Sequence, residues 1–127
     1  MELEKIEGAT PALGPYSAGV RIGPADLVFV SGQIPTDPEG NLPAGIRAQA
    51  EQSIRNVQAV LEAAGSDLRH VVKTTVFLRD MDDFAAVNEV YARFFDGPVK
   101  PARSCVQAAK LPKDMPLEIE AIGVVCR

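Results

Sequence analysis

The stretch from Pro101 to Val125, PARSCVQAAKLPKDMPLEIEAIGVV, reads as two strands joined by a loop punctuated by proline. Side chains alternate faces along a strand, so Arg103 and Cys105 point one way, and Glu118 and Glu120 share a direction on the second strand. The run from Leu111 to Pro116 holds two prolines and turns the chain. If the two strands pair, a guanidinium and a carboxylate share one pocket. A cation that binds carboxylates beside a general base suits hydrolysis of a small acid.

The rest of the chain narrows the setting. A length of 127 residues predicts one domain, 1–127, and 46% hydrophobic residues suffice for a core. There is no 18-residue apolar run to span a membrane. The start, Met1 to Lys5, lacks the basic and apolar regions of a signal peptide, so the expected location is cytoplasmic. Cys105 and Cys126 fit that compartment as free thiols, and two cysteines with one histidine argue against a structural zinc site. A net charge of −4 and scattered basic residues argue against a nucleic-acid partner.

Taken in order, residues 2–7 predict a short edge strand. Ser17–Ile22 and Leu27–Val30 predict a hairpin across the turn at Gly23-Pro24-Ala25-Asp26. Thr36 to Asn41 is a loop by composition. From Ala44 to Ala64 the apolar period becomes helical, through Ile46, Ala50, Ile54, Val57, Leu61 and Ala64, with Gly65 as the C-terminal cap. Val71–Leu78 is a β-branched strand. Asp80 or Asp82 caps a second helix to about Phe95, with Phe84, Val87, Tyr91 and Phe94 as its apolar face, and Asp96-Gly97-Pro98 ends it.

The expected fold class is therefore α+β, a single mixed sheet with two helices on one face. On the last strand Leu117, Ile119, Ala121 and Val125 alternate with Glu118, Glu120, Ile122 and Val124. A monomer leaves one such row wet, which predicts a homo-oligomer.

These pieces also form a pattern. Gly14-Pro15-Tyr16, Ser31-Gly32-Gln33-Ile34-Pro35, the helix with Gln52 to Val57, Val72 to Leu78, Val87-Asn88, Pro101 to Val106 and Leu117 to Glu120 resemble, together and in order, the Rid (YjgF-type) family of reactive intermediate deaminases. The arginine and its carboxylate partner are similar to the RidA subfamily. The resemblance covers essentially the whole chain. It implies a chorismate-mutase-like trimer whose sheets line a central barrel, with active sites in the clefts between subunits. The implied activity is hydrolysis of 2-imino acids, products of pyridoxal-phosphate dehydratases, to 2-oxo acids and ammonia. No cofactor is expected.

Residue roles follow from chemistry and resemblance together. Arg103 offers the bidentate fork that clamps a carboxylate. Glu118 is the group to position and activate water, with Glu120 as its rival. Cys105 lacks a base in sequence and reads as a pocket-wall residue whose backbone, by resemblance, contacts substrate. Tyr16 belongs to the substrate pocket by the same resemblance. Ser31 and Gly32 offer a hydroxyl and a bare backbone at a strand end, Gly32 admitting close approach of substrate. Asn88 sits mid-helix, where its amide needs a polar task. His70 reads as structural, and Cys126 as a terminal thiol without a role. Two other functions compete: an endoribonuclease or translation inhibitor, and a non-catalytic trimer that binds 2-oxo acids or acts as a chaperone.

Overall fold

The computed structural model describes residues 3–126. Six strands and two helices follow in the order β1 (Leu3–Ile6), β2 (Gly19–Ile22), β3 (Leu27–Gln33), α1 (Ile46–Ala63), β4 (Val71–Leu78), α2 (Phe84–Phe94), β5 (Ala102–Gln107) and β6 (Leu117–Val124). No helix is long and apolar enough to cross a membrane among these residues.

Helix α1 forms because apolar residues recur at helical spacing, and Ala50, Ile54, Val57 and Leu61 are all buried. It stops at Gly65, where φ is +86°, a conformation L-residues rarely adopt. Gly65 N–H donates to Glu62 O at 3.1 Å and Ser66 N–H to Leu61 O at 2.8 Å, which makes the predicted cap a Schellman motif. Helix α2 is entered through a 3₁₀ turn, Met81–Asp83, capped by Asp80, whose carboxylate accepts from Asp82 N–H at 2.9 Å. Its buried face is Val87, Val90 and Tyr91, so Val90 joins the residues expected there.

Strand order departs from the sequence reading. The main sheet runs β3-β6-β4-β5, and β1 with β2 forms a separate two-stranded sheet, so the sheet is not single. The predicted hairpin of β2 with β3 does not form: β2 pairs antiparallel with β1, and β3 with β6. Nor do β5 and β6 pair. Strand β4 lies between them, antiparallel to β6 and parallel to β5. The crossover from β4 to β5 through α2 imposes that parallel pairing. The result is a mixed sheet with α1 and α2 on one face, as expected of the helices.

The buried rows are Thr74, Val76 and Leu78 on β4 and Leu117, Ile119 and Ala121 on β6, packed against Ile54, Val57, Leu61, Val87, Val90 and Tyr91. Gly123 continues this face, since a Cβ there would lie 2.9 Å from the Leu61 side chain. The opposite face stays open. Phe29, Leu27 and Val106 lie on it at 70%, 43% and 45% exposure. An open apolar sheet face was expected, with Glu118, Glu120 and Ile122 in its row.

Candidate functional site

The register settles how the predicted residues relate. Arg103 stands opposite Thr74, whose side chain is buried beneath α2. Glu118 stands opposite Phe77, three residues further along the same strand. With faces alternating every residue, Arg103 and Glu118 project from opposite faces of one sheet. A single chain therefore does not place guanidinium and carboxylate in one pocket. It builds two groups instead.

The first group surrounds Arg103 on the helix side of β5, the strand at the sheet's edge. Phe84, Asn88 and Tyr91 recur at i, i+4 and i+7 along α2 and present one stripe to it. The guanidinium carbon lies 4.8 Å from the Tyr91 ring centre, 5.6 Å from Phe84 and 5.4 Å from Tyr16. Such contacts favour the cation. Arg103 Nη1 donates to Asn88 Oδ1 at 2.6 Å, which gives the mid-helix amide its polar task. Gly14 borders Arg103 Nη2, Asn88 and Tyr16, each within 3.6 Å of where its Cβ would stand. Tyr16 is brought there by a tight turn, Tyr16 N–H to Gly14 O at 2.8 Å, and its hydroxyl accepts from Leu13 N–H at 3.2 Å. Ser17 then ties the segment to β5 through Pro101 O and Lys100 O.

Only one of the five guanidinium donors has a side-chain partner here, and no carboxylate lies within ion-pair distance of Arg103 among the described residues. The remaining fork is free to accept an external carboxylate, half-buried against aromatic rings where charge attraction is strengthened. Tyr91 supports it from below. Its hydroxyl shares a 2.7 Å hydrogen bond with Thr74, and it stacks on Phe95 at 4.3 Å. Burial pushes its pKa from 10.0 up to about 12, against the Thr74 hydrogen bond and the Arg103 charge, so it stays a neutral phenol. Cys105 points to the same side as Arg103, half-buried. Burial raises its pKa while Arg103 pulls it down, so it is a thiol at neutral pH and not an activated nucleophile.

The second group lies on the open face. Between Val30 and Gln33, strand β3 carries one residue too many: Ser31 and Gly32 together oppose Glu120 on β6. This bulge re-aims the backbone there. The Glu118 side chain lies directly over Gly32, and a Cβ on Gly32 would come within 2.7 Å of Glu118 Cγ and closer still to the carboxylate. The approach that Gly32 permits is thus that of Glu118. Glu118 is half-buried and Glu120 exposed. No cation lies within ion-pair distance of Glu118 among the described residues.

Helix α1 fixes this bulge from behind. Buried Ser53 donates to Gln33 O at 2.7 Å, and Asn56 Nδ2 donates to Ile34 O at 3.0 Å and Thr36 O at 2.9 Å. Gln52 Nε2 in turn donates to Asn56 Oδ1 at 2.9 Å. The sequence reading missed Ser53 and Asn56 as positioning residues, although two polar side chains facing the sheet from an amphipathic helix are a signal. It also missed Phe84 and Tyr91, taken only as apolar packing. His70, expected to be structural, bonds to Asp67 and shares no partner with either group.

The family described as Endoribonuclease L-PSP matches residues 7–125. The chain is 51% identical over 121 residues to the 2-iminobutanoate/2-iminopropanoate deaminase of Escherichia coli K12, covering 93% of each. It is 55% identical over 122 residues to a RutC family protein of Haemophilus influenzae, covering 93% of this chain and 92% of that one. The solved structure of E. coli TdcF with bound serine superposes with a TM-score of 0.75 at 49% identity, over 97% of this chain and 99% of that one. With matches of this length and identity, the chain belongs to the Endoribonuclease L-PSP family, the YjgF/RidA group that its motifs resemble.

Proposed function

We propose that this protein hydrolyses 2-imino acids to 2-oxo acids and ammonia. The observation that carries the reading is the Arg103 fork, packed among three rings and bonded to Asn88, with no carboxylate within ion-pair distance among the described residues. Its support is a relative half identical in sequence that bears the deaminase name. That a family structure holds serine, itself a small carboxylate, fits the same fork.

In this reading Arg103 grips the substrate carboxylate in two parallel hydrogen bonds and so orients the adjoining imine carbon. Glu118 takes a proton from water as its oxygen adds to that carbon. The resulting carbinolamine receives that proton on nitrogen, its hydroxyl gives its own proton back to Glu118, the C–N bond breaks, and ammonia leaves as the 2-oxo acid forms. Tyr16, Cys105 and Asn88 wall the carboxylate end. Ser31 and Gly32 shape the water end. No cofactor enters these steps.

Arg103 and Glu118 face opposite ways in one chain, so two copies must meet to bring them to one substrate. The apolar open face supplies a surface for that contact. A trimer of the chorismate-mutase-like kind, with sheets around a central barrel and the site in the cleft between neighbours, joins the Arg103 group of one copy to the Glu118 group of the next. The test is to generate 2-iminopropanoate and 2-iminobutanoate in situ with a pyridoxal-phosphate dehydratase and to follow their loss by semicarbazone trapping. Unchanged semicarbazone yield with the protein present rules the reading out.

The family description favours endoribonuclease as a second reading. The net charge of −4 and the paired Glu118 and Glu120 on the open face oppose an RNA backbone there. RNA cleavage that co-purifies with the protein and vanishes in Arg103→Ala restores it.

A further inference from the structure

Sequence alone leaves His70 and Cys126 without a role, and the fold brings them together with Asp67. His70 Nδ1 lies 2.7 Å from Asp67 Oδ1 and 3.2 Å from Cys126 Sγ, and Cys126 Sγ lies 3.9 Å from Asp67 Oδ2. The three donor atoms fall within 4.8 Å of one another. Each is placed by backbone. Asp67 caps the 3₁₀ turn Leu68–His70, accepting from Arg69 N–H at 2.9 Å. Cys126 N–H donates to Gly65 O at 2.9 Å, which fastens the segment after β6 to the turn after α1.

Two chemistries use cysteine, histidine and aspartate together. In a nucleophilic relay the thiol and the carboxylate address opposite ring nitrogens, so that one proton moves along a line. Here both address the same nitrogen, Nδ1. That is not the order of a relay; the arrangement is a cluster of three groups that each offer a ligand atom within reach of the others. That is the disposition of a cation's ligand set. Donors around a tetrahedral zinc ion lie roughly 3.3–3.6 Å apart, given its bond lengths of about 2.0–2.3 Å. With one atom taken from each residue, all three separations lie within 4.8 Å, and side-chain rotation about the partly exposed groups brings them to those values.

We propose that Asp67, His70 and Cys126 bind one borderline divalent cation of the zinc class, separately from imine hydrolysis. Thiolate, imidazole and carboxylate form the mixed soft and intermediate donor set that suits zinc, and the two negative ligands neutralise its charge. Binding releases the Cys126 proton to solvent, and neutral His70 ligates through Nδ1. A fourth position remains for water, because Cys126 is exposed. His70 also lines an open cleft of about 320 Å³ with Leu3, Arg69, Pro98 and Val99, which gives the ion a route in.

Co²⁺ serves as the probe, titrated into the full-length protein under reducing conditions. One equivalent per chain should bind with a thiolate-to-cobalt charge-transfer band, and Zn²⁺ should displace it. Cys126→Ser should abolish the band, Cys105→Ser should keep it, and His70→Gln and Asp67→Asn should each weaken binding about tenfold or more. Cys126 is exposed, so its substitution leaves the core untouched. Imine hydrolysis should be unchanged in Cys126→Ser. Absence of the band in the wild type, binding without it, or its persistence in Cys126→Ser overturns the site.

Discussion

Arg103 owes its readiness to what surrounds it. Three rings and one amide surround the guanidinium while leaving most of its donors open. Hydrogen bonds to charged groups contribute roughly 1.5–3 kcal/mol each, so losing a bidentate pair from Arg103→Ala should lower kcat/KM about 10²–10⁴-fold. Arg103→Lys keeps the charge without the fork and should fare little better. Steady-state assays of both, with titration of 2-oxobutanoate, check this. Glu118→Gln should lose about a hundredfold in turnover while still binding 2-oxobutanoate; if Glu120→Gln is the inactive variant instead, the roles are exchanged. Gly32→Ala sets a methyl against Glu118 and should lower stability by about 1–3 kcal/mol. Adding Glu118→Ala should restore the melting temperature but not activity. Arg103, Asn88 and Tyr16 were legible in sequence because their residue types and motif stand out. That Gly32 serves Glu118 was not, since the contact joins distant strands across a bulge whose extra residue leaves no local mark.

Elements carry the site through a few polar ties. The α1 helix was legible almost to the residue because its apolar period and Gly65 are local signals. Pairing of β4 between β5 and β6 was not, because alternation reveals a strand's faces and says nothing about its neighbours. The connection did hold a hint: a helix between β4 and β5 suits a parallel crossover, whereas the proline loop before β6 left pairing of β5 with β6 only a possibility. On α1, Asn56→Ala leaves Ile34 O and Thr36 O without their donor. It should cost about 1–3 kcal/mol and speed amide exchange in the bulge while 2-oxobutanoate still binds at the Arg103 end. Between β4 and α2, Tyr91 ties sheet to helix. Its pKa is raised in the fold, so the folded state holds a proton that the unfolded chain gives up from about pH 10. Its contribution is present in full below that pH and is lost as pH rises toward 12. Stability measured by denaturant melts should therefore fall over this window less steeply in Tyr91→Phe than in the wild type.

At the scale of the whole molecule, Arg103 and Glu118 lie on two faces of one sheet, so the proposed hydrolysis requires assembly. Light scattering should report three chains per particle; a stable monomer at micromolar concentration removes the shared cleft. Arg103→Ala and Glu118→Gln, each inactive, should complement one another when unfolded and refolded together. If each site takes its arginine from one copy and its glutamate from the next, random cyclic mixing restores about a quarter of wild-type activity. Sites built within one chain would restore none. A further consequence concerns time and dilution. If the proposed shared cleft is right, a freshly made chain carries every reacting group, correctly folded, and turns over nothing until it finds its neighbours. Activity should lag behind folding after rapid mixing, and the lag should shorten as protein concentration rises.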